Sequence, residues 1–450
     1  MMGFYMRRLG FIFSCLLGIV FAVSCRDDNF TPWTVSAETT TPVTKPARIE
    51  SEEIRNVVIM VSGGFNSLSS YLRQDLMDLS ENYLPGGYRT AHVLLVLSRL
   101  PADGSFATTS APVLYRMYRE EEGVVRDTLK IWPQGTQLFG GTTLRDALQF
   151  AYDRFPAKGY GMVLSSHGSG WLPEEYYFDP SKFETNASSS GGNVWNAPAR
   201  RTGKWYFPEI VEDGAPVKSI GQDKDGSNAV EMDLVAFRDA LPFHLDYLLL
   251  DACLSGGVEV AYELREKVDV LGFSQTELLA EGFDYETLMS RLLVSDPDPV
   301  AACRDAYNYY AAQTGINKSA VFSAINLREM EDLSGICRTL FQKYRYPLAM
   351  LQGSSVQGYF RYERHFFYDL KDILVKAGIS AEEEAQLDAA LAKCVIFKGA
   401  TPYFMQGTQY GFAIQCHSGF SMYLPSMGSA YLDHYYKDNL AWNQATGLVQ

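Results

Sequence analysis

Apolar residues along this chain fall into two patterns. Short continuous runs occur at Asn56 to Val61, Ala91 to Leu97, Met162 to Leu164, Leu248 to Leu250 and Val268 to Phe273. Runs of that kind predict strands covered on both faces. Between them apolar positions recur at helical spacing: Leu68, Leu72, Leu76 and Leu79, then Leu144, Leu148, Ala151 and Phe155, with Thr143 as a candidate cap. Glu231 to Leu241 and Gly257 to Lys267 predict two further helices. Val113 to Tyr118 and Val124 to Ile131 flank Glu120-Glu121-Glu122-Gly123 and predict a two-stranded ribbon. Strands alternating with helices give an α/β fold, a mainly parallel sheet with helices on both faces.

From Asp296 the pattern becomes more helical, with Val300 to Gln313, Leu327 to Leu351, Tyr368 to Ala377 and Glu382 to Cys394. It closes on an alternating stretch, Gly411 to Tyr423, and an aromatic helix near Ala430 to Trp442. The folded part therefore divides into residues 54–295 and a more helical α+β region, 296–450, that completes the fold. A long stretch from about Leu172 to Gly226, rich in Gly, Ser, Asn and Pro, has the length of a functional loop.

The N-terminus differs from both parts. Arg7 and Arg8 precede the apolar stretch Leu9 to Val23, so residues 1–24 have the form of an export signal, too short for the ~20 residues of a spanning helix. It ends in Ala22-Val23-Ser24-Cys25, which resembles a bacterial lipoprotein box and makes Cys25 the candidate for lipidation; a plain secretory signal is the alternative. Residues 25–53 carry a Thr/Pro-rich stretch with little to bury, as expected of a disordered tether. Arg26-Asp27-Asp28 resembles a lipoprotein surface-export signal. The expectation is an exported protein held by lipid at the cell envelope, at the outer-membrane surface if that signal operates.

Composition adds exclusions. A formal charge of −14 argues against a nucleic-acid partner, which calls for a basic face. Seven cysteines without paired spacings form neither a disulfide framework nor a zinc site, and Cys303, Cys337, Cys394 and Cys416 lie in mixed apolar segments as small core residues. No metal-binding or nucleotide-binding motif is present.

Two strand ends carry the chemistry. Leu248-Leu249-Leu250 runs into Asp251-Ala252-Cys253, and Met162-Val163-Leu164 runs into Ser165-Ser166-His167-Gly168. Groups just past the carboxyl ends of neighbouring strands share one crevice in an open α/β sheet. A thiol and an imidazole delivered there make a cysteine nucleophile with its base. The backbone N–H groups of Gly168 and Cys253 are candidates to hold the oxyanion. Placement of Cys253 where strand gives way to helix would favour thiolate. Read singly, His167 is a polar residue in a turn and Cys253 a core thiol; together, each before a glycine-bearing turn, they form a candidate dyad. His92, His244, His365, His417 and His434 read as structural or surface groups.

These residues resemble the clostripain family of cysteine peptidases, of the caspase-like clan. Ser166-His167-Gly168-Ser169-Gly170-Trp171 is similar to the family's His-Gly-Gly-Gly-Trp type motif. Asp251 to Leu264 is similar to its nucleophile segment throughout, and Gly419 to Pro425 also looks familial. The resemblance implies a caspase-like α/β fold, a His167–Cys253 dyad, and cleavage of protein or peptide substrates after Arg or Lys. It implies that Asp251 helps form the pocket for the basic side chain, with a second acid downstream among Glu277, Glu281 and Asp284; we take Glu281 and Asp284 with Asp251 as the substrate-binding set. The chemistry requires no cofactor or metal, although relatives leave room for calcium. Some relatives cut themselves between the two segments, where this chain has Lys182, Arg200, Arg201, Lys204, Lys218 and Lys224. Ser169 replaces a common glycine, and the opening segment around Gly63-Gly64-Phe65 lacks the Asp-Asn pair that many members carry after the first strand. That departure keeps an alternative open: a catalytically silent surface lipoprotein that binds peptides.

Overall fold

In the computed structural model, strand β1 (Asn56–Gly63) is buried along its whole length, as its uninterrupted apolar run requires. The structure describes residues 54–63, 68–88, 90–100, 111–174, 176, 183, 221–225, 228–361 and 365–450. The leader, Cys25, the tether and the cleavage candidates from Lys182 to Lys218 lie outside the described residues.

Among the described residues the strands in chain order are β1, β2 (His92–Arg99), β3 (Val113–Glu120), β4 (Gly123–Ile131), β5 (Gly159–Ser165), β6 (Gln222–Asp225), β7 (Asn228–Glu231), β8 (Leu245–Asp251), β9 (Val268–Ser274), β10 (Val321–Asn326), β11 (Tyr368–Asp369), β12 (Val395–Ala400), β13 (Tyr403–Phe404), β14 (Phe412–Ala413) and β15 (Ser421–Met422). Nine of them form one sheet in the order β12-β10-β9-β8-β5-β1-β2-β3-β4. The five central strands, β9, β8, β5, β1 and β2, are parallel. Antiparallel pairs extend both edges, β2-β3-β4 on one side and β9-β10-β12 on the other. The sheet is thus mixed, with the expected parallel strands at its centre.

The helices are α1 (Ser69–Glu81), α2 (Thr143–Arg154), α3 (Leu234–Ala240), α4 (Val258–Leu264), α5 (Tyr285–Leu292), α6 (Pro299–Ala311), α7 (Met330–Lys343), α8 (Arg345–Met350), α9 (Leu370–Lys376), α10 (Ala381–Cys394), α11 (Ala430–Asn439) and α12 (Ala441–Thr446). Alternate residues of β1 sort them between two faces. Val57, Ile59 and Val61 belong to a core shared with α2, α3, α4, α7 and the later helices, whereas Val58 and Met60 pack with α1, α5 and α6.

Three of the departures from the expected boundaries have a clear local reason. Thr142, not Thr143, stands before α2, and its hydroxyl donates to Asp146 instead of capping the backbone. The helix expected from Glu231 begins at Leu234, because Asp233 caps it by accepting from the Ala236 N–H, and Glu231 pairs in a ribbon with β6. The long helix expected over Leu327–Leu351 breaks at Tyr344: Pro347 cannot donate to the carbonyl four residues earlier, and α7 ends at Lys343.

Candidate active site

Ser165 on β5 stands directly opposite Asp251 on β8 in a parallel register. Two residues beyond each strand end come His167 and Cys253, at the carboxyl edge of the sheet. Strand order reverses direction between β5 and β1, which is where α/β sheets open a crevice. Both side chains line one cleft, together with Asp251, Glu277, Leu278 and the inner face of α1.

The turn carrying His167 is held from three sides. Ser166 donates its amide to the Asp251 carbonyl (3.2 Å) and its hydroxyl to the Gly63 carbonyl (2.9 Å), while the His167 carbonyl accepts from the Gly221 amide at 3.0 Å. Asp223, two residues beyond Gly221, is ion-paired with the fully buried Arg99 at the end of β2, which fixes that ribbon to the sheet. His167 itself is 3% exposed. Trp171 is fully buried and meets Tyr423 and Tyr436 edge-on, with ring centres 4.9 and 5.0 Å away. The closing segment around Tyr423 therefore braces the histidine turn.

Gly168 and Gly170 let that turn press onto the nucleophile segment. A methyl group at Gly168 would stand 2.5 Å from the Cys253 carbonyl oxygen. At Gly170, which has φ +63°, it would stand 2.5 Å from the Leu254 carbonyl oxygen. Leu254 itself adopts φ +57°, an uncommon conformation for a branched residue, and is completely buried. Its amide donates to the Thr276 carbonyl at 2.9 Å, so neighbouring structure enforces the sharp turn just after Cys253.

The sulfur does not sit at a helix start. Gly257 caps α4, and Leu254 to Gly257 intervene. The Leu278 N–H, from the loop after β9, instead donates to Cys253 Sγ at 3.4 Å. An amide donor aimed at sulfur favours negative charge there, the role first expected of a helix start.

The acids separate clearly. Asp251 is 6% exposed; its carboxylate accepts from Ser165 Oγ (2.9 Å) and Tyr285 Oη (2.6 Å), and burial raises its pKa. Glu277 is buried on the cleft wall in a two-pronged pair with Arg361, Nε to Oε2 at 2.8 Å and Nη2 to Oε1 at 2.9 Å. Glu281 is exposed and Asp284 accepts from the Thr287 hydroxyl at 2.7 Å; neither lines the cleft. Sequence reasoning missed Arg361 and also Asp75, a cleft residue on α1. The signal for Asp75 was a carboxyl inside the Leu68, Leu72, Leu76, Leu79 stripe.

The remaining histidines are accounted for elsewhere. His365 stacks on Tyr368 at 4.1 Å, and the half-buried His417 lies between Tyr359 Oη (3.1 Å) and Ser323 Oγ (3.3 Å). His92 bonds Asn56, and His244 and His434 meet Asp269 and Asp438 at the surface. Cys303, Cys337 and Cys394 are buried free thiols and Cys416 is half-buried. Among the described residues no group of three His, Cys, Asp or Glu side chains is placed to hold a metal ion.

A mixed sheet presenting a thiol and an imidazole from neighbouring strand ends defines the class of caspase-like cysteine peptidases. Residues 201–446 match the Clostripain family, and the chain belongs to it. It is a cysteine-type peptidase. In fold it is similar to an inactive zymogen C11 protease from Parabacteroides distasonis, at 24% identity and TM-score 0.65, over 87% of this chain and 97% of that one. It is likewise similar to a secreted C11 cysteine protease from Bacteroides thetaiotaomicron in complex with an irreversible peptide inhibitor, at 22% identity and TM-score 0.66, over 87% and 99% of the two chains. No curated protein matches the sequence.

Proposed function

We propose that the protein is an endopeptidase that cuts after Arg or Lys, using Cys253 as nucleophile and His167 as its base. The observation that carries this reading is that the two residues follow the ends of adjacent strands and line a single cleft with Asp251 in its wall. His167 takes the thiol proton, and the sulfur attacks the scissile carbonyl carbon. The Gly168 and Cys253 amides receive the oxyanion, a contribution of roughly 3 kcal/mol per donor. Collapse breaks the C–N bond, His167 protonates the departing amine, and water then hydrolyses the thioester. Asp251 supports the basic preference because a desolvated guanidinium or ammonium needs a paired carboxylate. We further propose that Cys25 carries a lipid that holds the enzyme at the cell envelope.

The test is hydrolysis of fluorogenic peptides with Arg, Lys, Asp or Asn before the reporter, wild type against Cys253→Ala. The expected outcome is cleavage after Arg and Lys that the variant abolishes. Preference for Asp or Asn would refute the acidic pocket, and silence on all four peptides would favour the peptide-binding alternative. Metabolic labelling with a fatty-acid probe, lost in Cys25→Ala, tests the anchor.

A further inference from the structure

We propose that Asp75, on helix α1, supplies the second acid of the specificity pocket, its carboxylate meeting the substrate's cationic side chain opposite Asp251. The proposal rests on the basic preference argued above and names a residue for it. Leu68, Leu72 and Asp75, spaced four and three apart, share the face of α1 that lines the cleft with His167 and Cys253. Asp75 is 5% exposed, yet among the described residues no hydrogen-bond donor or cation meets its carboxylate. Its charged neighbours are all acids. Buried carboxyls are ordinarily satisfied by donors, as Asp251 is by Ser165 and Tyr285. An unpartnered carboxyl aimed into a substrate cleft is therefore kept for a partner that arrives with the substrate.

The alternatives for this role are engaged by other groups or stand outside the lining of the cleft. Glu277 is paired with Arg361, Asp284 with Thr287, and Glu281 is exposed at the surface. Asp75 reaches the cleft from α1, the element that follows β1, which explains why a search downstream of the nucleophile does not find it.

The groups facing Asp75 are Asp251 at the end of β8, Asp78 on its own helix, Glu281 on the loop before α5, Tyr285 on α5 and Tyr310 on α6. Elsewhere the cleft presents His167, Cys253 and the Glu277–Arg361 pair. Burial, reinforced by Asp251, raises Asp75 to about 9, so the empty pocket holds it protonated at neutral pH. An incoming cation stabilises the ionised form and releases that proton. Preference for a charged over a neutral side chain of the same shape should consequently rise with pH.

Two measurements test this. The first compares wild type and Asp75→Asn on matched peptides carrying arginine or citrulline, its neutral isostere, before the reporter. Asn reproduces the protonated side chain, so the fold is retained. We expect kcat/KM on the arginine peptide to fall about 10- to 100-fold, with the citrulline peptide and iodoacetamide labelling of Cys253 changed less than about threefold. The second follows the arginine-to-citrulline ratio of the wild type between about pH 6 and 9, where titration of the thiol and imidazole cancels; we expect it to climb by about a hundredfold or more. An undiminished arginine preference in Asp75→Asn, or a pH-independent wild-type ratio, overturns the role of Asp75. A wild type indifferent to arginine overturns the basic-pocket reading itself, together with this proposal.

Discussion

Gly168 and the Cys253 peptide are in direct contact: a β-carbon on Gly168 would lie 2.5 Å from the Cys253 carbonyl oxygen and 2.8 Å from the Ala252 β-carbon. Neither neighbour is the far end of a flexible side chain, so the histidine turn would have to retreat from the sulfur. Displacements near 1 Å cost about a hundredfold in rate when they separate catalytic groups. Gly168→Ala is therefore expected to lower kcat/KM by about a hundredfold and stability by about 1–3 kcal/mol. Wild-type kinetics in that variant would mean that the turn need not touch the nucleophile segment.

The Arg361–Glu277 pair couples stability to the cleft. Both side chains are almost wholly buried, and Glu277 precedes the residue whose amide contacts Cys253 Sγ. Arg361→Ala removes the cation from this buried pair and should destabilise the protein by about 3–5 kcal/mol. The double variant Arg361→Met with Glu277→Gln removes both charges and should recover most of that loss in chemical denaturation. An additive double variant would show that the two charges contribute independently.

Glu259 makes stability depend on pH. It is fully buried on α4, and its carboxylate accepts from the Tyr423 N–H and the Tyr436 O–H, each at 2.8 Å. Burial lifts its pKa from 4.5 to about 7. The native state then keeps a proton that the unfolded chain releases, so this contribution is full below 4.5 and is lost as pH rises through about 7. Glu259→Gln should gain on the wild type by up to about 3 kcal/mol between pH ~4.5 and ~8. A constant difference across that range, measured by denaturant titration, would contradict the assignment.

Much of the fold and the position of the candidate site can be read in the chain, and the physical reason differs by element. The five parallel strands are covered on both faces over most of their length, so each carries a short apolar run such as Met162–Leu164. Sulfur and imidazole were legible because each ends such a run. Val321–Asn326 and Val395–Ala400 were not recognised: they are short, sit among helices, and join the sheet through antiparallel pairings distant in sequence. The half-exposed β12 mixes apolar and polar residues without the period of a doubly covered strand. The contact from the Leu278 amide to sulfur has no local signature at all, because loop closure after β9 creates it. Arg361 enters the cleft from another loop for the same reason. Asp75 did leave a trace, a carboxyl on an otherwise apolar helix face.

Covalent capture tests the central claim most directly. A peptide ending in arginine and carrying a thiol-reactive ketone should add once per chain, at Cys253, with Cys303, Cys337, Cys394 and the half-buried Cys416 unmodified by peptide mapping. His167→Ala should slow that labelling by about a hundredfold or more. Adduct on another cysteine, or labelling of Cys253 at an unchanged rate without His167, would contradict the account.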